Sequence, residues 1–110
     1  MNTINKVQLI GELKNTPELS VVNGLKIARF VVSTCDYYRV NGSMIMEHQW
    51  HNVVAMGQQA SLVAQNFSKG DELILEGSIV RRKVSNGHKD AFTLTEVLVK
   101  NVLLPFAHRA

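Results

Sequence analysis

The residues in this chain whose types and spacing could do chemistry are few. They are His48 and His51 on either side of Trp50, the single Cys35 followed by Asp36, and the basic run Arg81-Arg82-Lys83. The histidines invite a metal. They lie in a stretch that reads as a strand, where residues three apart point to opposite faces and cannot share an ion. No further cysteine or histidine cluster completes a ligand set, so no metal is expected. Cys35 lacks the local signature of a nucleophile and reads as a small apolar filler near a strand end. Gly11, Gly24, Gly57 and Gly77 are scattered and build no phosphate loop. No catalytic constellation emerges, so an enzyme is not expected, nor a cofactor.

What remains is recognition by cations and flat rings. Trp50 is the only tryptophan, and the run "EHQWHNVVAMG" surrounds it with polar residues. A lone tryptophan in a small domain is usually core, whereas polar neighbours suit a ring offered to something outside. The stretch alone leaves both readings open. Arg81-Arg82-Lys83, with His88 and Lys89 across a turn, would suit a phosphate-tracking loop or a solvated hairpin rim equally. Alternation puts Arg81 and Lys83 on one face and Arg82 on the other. The net charge of +3 and pI near 9.3 permit contact with a polyanion without demanding it.

These side chains must be positioned by a small fold. A chain of 110 residues, 45% of them apolar, is sized for one domain with one core, taken here as residues 1–110 with a short tail from 103. One cysteine allows no internal disulfide and fits a reducing compartment. No run of 18 apolar residues and no leader-like start are present, so a cytoplasmic protein with no membrane contact is expected.

The hydrophobic pattern is mostly strands. "NKVQLIGEL" alternates, with Val7, Leu9 and Gly11 on one side and Lys6, Gln8, Ile10 and Glu12 on the other. Asn23-Gly24 and Asn41-Gly42 are hairpin signals, and Ser85-Asn86-Gly87 is a third turn. Between Gly57 and Gly70 the period changes. Ala60, Val63, Ala64 and Phe67 trace one face of a short helix that Gly70 is placed to end. Gly77, inside "DELILEGSIVRRKV", suggests a bulge or sharp bend. In the last strand Phe92, Leu94, Glu96 and Leu98 alternate against Thr93, Thr95, Val97 and Val99. Three main strands, a helix and two strands, with a small extra hairpin, give an all-β fold, a small barrel with one helix, with a β-sandwich as the rival that the helix fits poorly. The order matches a five-stranded oligonucleotide-binding barrel with one short helix between its third and fourth strands.

Three ordered blocks are specific. "NKVQLIGEL…TPEL", "EHQWHNVVAMG" and "KGDELILEGSIVRRK", with "TLTEVLVKNV" closing, resemble the bacterial single-stranded DNA-binding protein family across residues 5 to 102. The resemblance implies sequence-tolerant binding and protection of single-stranded DNA in replication, repair and recombination, with RNA left open as a second ligand. Rings stack on bases and cations follow phosphates. By that resemblance Trp50 and Tyr38 are stacking platforms. Met56 and Val84 are apolar substitutes where the family carries aromatics. Lys6, Arg39, Lys69, Arg82 and Lys83 contact phosphates, and His51 lies at a subunit contact of a homotetramer, with a dimer as the alternative.

Several departures point to a weaker binder. Replacing two rings by Met56 and Val84 removes roughly 2–6 kcal/mol of stacking at the usual per-base figure. Asn52 and Gln58 stand where many members carry Lys or Arg. Pro105-Phe106 is present without preceding acids, so docking of replication enzymes through an acidic tail is not expected. Two rivals remain: a dimeric primosome-type accessory barrel, and a barrel that serves only as a protein-interaction module.

Overall fold

A computed structural model describes residues 2–85, 87 and 90–103. The strands are β1 (Val7–Leu13), β2 (Glu18–Val22), β3 (Leu25–Val40), β4 (Ser43–Met56), β5 (Glu72–Ser85) and β6 (Ala91–Leu103). The helix α1 (Gln58–Asn66) falls between β4 and β5. No helix among the described residues is long and apolar enough to cross a membrane.

Five long strands close a barrel in the order β1-β5-β6-β4-β3, and β2 adds to the free part of β3. Closure is made by a short seam, Glu12↔Ser33 and Leu13↔Val32. All pairs are antiparallel except β4–β6, which the crossover through α1 makes parallel. With β2 set aside as the small extra strand, the helix lies between the third and fourth barrel strands, as the sequence pattern predicts.

Local chemistry explains the elements. Both two-residue hairpins have positive φ at both central residues, Asn23 at 50° and Gly24 at 81°, Asn41 at 49° and Gly42 at 82°. That backbone matches strand twist and is cheapest for Asn-Gly. Leu9 and Leu13 of β1 point inward. They join Phe30 and Val32 of β3, Val53 of β4, Leu73 and Leu75 of β5, and Val97, Val99 and Val102 of β6. α1 caps this core with Ala60 and Val63, followed by Phe67. Each fully buried side chain of this kind contributes roughly 1.5–3 kcal/mol.

Two glycines mark where backbones meet. A Cβ on Gly11 would lie 2.3 Å from the Ser33 carbonyl oxygen, at the seam. One on Gly77 would lie 2.1 Å from the Leu98 carbonyl oxygen. The β5–β6 register shifts between Glu76 and Gly77, so the bulge expected at Gly77 is present.

Two expectations need correction. α1 ends at Asn66, well before Gly70. Phe67 turns extended, which carries its ring into the core at 4% exposure. Gly70, at φ 96°, belongs instead to the turn in which Asp71 N–H donates to the Ser68 carbonyl. Cys35 is not an apolar filler but exposed. Beyond Thr34, β3 and β4 leave the barrel as a two-stranded ribbon with no second layer to cover that residue. Asn86, His88, Lys89 and residues 104–110 lie outside the described residues. The reading of His88 and Lys89 as part of a phosphate-tracking loop, and the Pro105-Phe106 tail, fall there.

Candidate nucleic-acid interface

Strand parity builds the site. Residues directly opposite in a sheet share a face. Trp50 opposes Ser33, Asn52 opposes Val31 and Val54 opposes Arg29. Val54 also opposes Leu98 in the parallel pair. Through β6 the same outer face takes in Glu96 with Val80, Leu94 with Arg82, and Phe92 with Val84. Arg81 and Lys83 pair with Thr95 and Thr93 on the other face, as alternation requires. Arg82 and Val84 therefore share a side with Trp50, and Lys83 does not.

Trp50 stands out from the barrel, 62% exposed. Its ring is not bare, because Lys14 Nζ lies over it, 5.3 Å from the centroid. Such a contact is worth about 0.5–1 kcal/mol at an exposed site. An open groove of about 450 Å³ runs from this ring past Asn52 and Arg29 to Arg82 and Leu94. A second, of about 350 Å³, lies on its other side against His51, Ile79 and Thr95. Trp50, Asn52 and Glu96 line both, so the two grooves meet at these three residues.

Glu96 is the unexpected member. It is 4% exposed, although its alternation with Val97 and Val99 gives no hint of burial. Two half-exposed arginines from different strands satisfy it. Arg82 Nε donates to Oε1 at 2.9 Å, and Arg29 Nε lies 3.5 Å from Oε2. A buried carboxylate is tolerated when paired and hydrogen-bonded in this way. The chemical effect is to hold two guanidinium groups at the groove, where their remaining N–H donors can meet an anion.

The ribbon divides the arm residues. Tyr37 pairs with Met46, and Arg39 with Met44, on the side that continues from Trp50. Tyr38 belongs to the opposite side. Its hydroxyl donates to Glu47 Oε2 at 3.2 Å. The Glu47 charge and that hydrogen bond hold the Tyr38 phenol above its ordinary pKa.

The other residues singled out by sequence are spread around the barrel. Met56 is exposed on the same side of β4 as Trp50, with Asn52 and Val54 between them. Lys6 Nζ lies 3.3 Å from Glu76 Oε2, on the outer side of β1 and β5. Lys69 is exposed in the turn after α1. His51 is half-buried, and its Nε2 shares a 2.9 Å hydrogen bond with Thr34 Oγ1. Sequence reasoning missed Lys14, Arg29, Glu96 and Phe92. Strand register brings Arg29 and Glu96 to the Trp50 groove and puts Phe92 one row beyond it, and register between strands far apart in the chain leaves no local signal.

The barrel order, the parallel β4–β6 pair and the capping helix define an oligonucleotide-binding fold with an aromatic and cationic groove on one face. The profile of the single-strand binding protein family matches residues 4–105, and the chain belongs to that family. A single-stranded DNA-binding protein of Bacteroides thetaiotaomicron is 36% identical over 104 residues, covering 91% of this chain. The chain spans 65% of the length of that relative. Among solved structures, a chain from a Plasmodium falciparum SSB complex with ssDNA superposes with a TM-score of 0.79 at 25% identity. That match covers 89% of this chain and 88% of the other.

Proposed function

We propose that this protein binds single-stranded DNA without sequence readout and protects it in the cytoplasm during replication, repair and recombination. The observation that carries the reading is Trp50, a ring 62% exposed in a groove that also holds Lys14, Arg29 and Arg82. Stacking is sequence-tolerant because every base has a π-face, and each stacked base contributes about 1–3 kcal/mol. Arg29 and Arg82 supply phosphate donors beside the ring. Tyr38, Arg39, Met56, Val84, Lys6, Lys69 and Lys83 extend the contact surface in this reading, Tyr38 and Lys83 from the opposite faces of their strands.

The test is a titration with oligothymidylate, followed by Trp50 fluorescence at several salt concentrations, with a matched duplex as control. Quenching, preference for the single strand, and a log–log salt slope of about −0.7 per phosphate contact are expected. Absence of binding at low salt overturns the reading in favour of a protein-interaction module. An RNA oligomer in the same assay tests the second ligand.

We also propose a homotetramer with His51 near a subunit contact. Exposed Ile4 at 91% and Ile10 at 58%, before and on β1, give such an assembly apolar surface to bury. Sedimentation equilibrium distinguishes a tetramer from the dimer that a primosome-type barrel would form.

A further inference from the structure

The face that carries Trp50 does not end at Arg82. Arg82 opposes Leu94 across the β5–β6 ladder, and both line the Trp50 groove. The next pair on that side is Val84↔Phe92. Opposed residues project together, with Cβ atoms about 4.5–5.5 Å apart. Phe92 therefore stands beside the side chain of Val84, one row beyond the groove, and is 51% exposed. The core does not hold it there, for the β6 residues in the core are Val97, Val99 and Val102. A half-exposed phenyl ring continues a groove already furnished with an exposed indole and two arginines.

We propose that Phe92 is a base-stacking platform, supplying from the neighbouring strand the ring that position 84 lacks. The proposal rests on the single-strand reading above. In this arrangement the two rings, Trp50 and Phe92, bracket Arg82. A strand laid along the outer face stacks at each end and meets the guanidinium between them. The aromatic deficit inferred from Val84 is then made good across one ladder rung, and the penalty for that position largely disappears.

Two variants of the full chain test this. F92L keeps apolar bulk and removes the π-face. Its affinity for oligothymidylate should fall about tenfold, within the range for one lost stack, with its thermal midpoint unchanged. F92W in a W50F background moves the only indole to the proposed platform, and its fluorescence should be quenched by oligothymidylate. Unchanged affinity in F92L together with no quenching in F92W/W50F overturns the proposal while wild-type binding leaves the proposed function standing. If F92L fails to fold, the quenching experiment alone decides. Failure of the wild-type protein to bind oligothymidylate at all removes the single-strand reading, and this inference with it.

Discussion

Arg82 Nε and Glu96 Oε1 lie 2.9 Å apart, which ties a half-exposed cation to a carboxylate that is 4% exposed. Arg29 approaches the other carboxylate oxygen from β3. One acid thus joins three strands of the barrel, β3, β5 and β6, at the proposed binding face. Phosphates that reach this face meet arginines already engaged, so Glu96 should serve stability at some expense to affinity.

Replacing Glu96 by glutamine separates the two effects. The loss of charge-assisted hydrogen bonds should lower unfolding free energy by about 1–3 kcal/mol, measured by urea titration. The freed arginines should steepen the log–log salt slope for single-strand binding by about 0.7 for each one that gains a phosphate. A slope identical to wild type would show that Glu96 withholds neither arginine from the backbone.

Trp50 should behave in the opposite sense. Because its ring is 62% exposed, Trp50→Ala should shift stability by less than about 1 kcal/mol. Affinity for oligothymidylate should fall roughly 5- to 150-fold, the equivalent of one stack. Trp50→Phe should recover most of that loss in a calorimetric titration. A large drop in thermal midpoint with little change in affinity would assign the indole to packing.

Gly77 and Gly11 test the barrel rather than the site. Any Cβ at these positions meets backbone carbonyl oxygen, 2.1 Å away for Gly77 and 2.3 Å for Gly11. Strand backbones cannot step aside as a side chain can. G77A and G11A should each destabilise by about 1–3 kcal/mol or more, seen as a lower denaturation midpoint. Gly24→Ala, where no atom lies within 4 Å but φ is +81°, should cost about 1 kcal/mol through backbone strain.

The Tyr38 phenol gives a pH-dependent signal. Glu47 raises its pKa above 10 through charge first and hydrogen bonding second. A folded pKa above the unfolded one means that the stabilising contact is complete below pH 10 and is lost as pH rises through the folded value. In a Y37F background, which removes the other phenol, phenolate absorbance should titrate above 10. Adding E47Q should bring that titration back towards 10. Identical curves would show that the two side chains do not meet in solution.

Much of this architecture is legible in the chain because it is written locally. The alternation of "VQLIGEL", the two Asn-Gly turns and the bulge at Gly77 each state their geometry within a few residues. The polar surroundings of Trp50 were a correct hint of exposure, since the ribbon and groove keep its side of β4 open to solvent. Glu96 and Arg29 were not legible as partners, because their meeting depends on β6 lying parallel to β4 and β4 antiparallel to β3. Cys35 was misjudged for a related reason. Its neighbours have the composition of a buried strand, but only the tertiary fold shows that the barrel stops short of it. Phe92 is not legible beside Val84 because their opposition depends on the β5–β6 register.

The ladder between β1 and β5 also sets an order of events during synthesis. The β3–β4 ribbon is joined by a two-residue turn and can zip once Met56 has emerged, since every partner lies nearby in the chain. Apart from the two pairs of its seam with β3, β1 has no such neighbour. Val7 pairs with Gly77 and Glu12 with Glu72, so β1 waits for a strand made much later. Contacts of such long separation are slow to form, and until then Leu9 and Leu13 lack the leucines of β5 that bury them. The barrel is thus finished by its earliest strand, and a nascent chain halted before Gly77 has every residue of β1 and no complete place to put it.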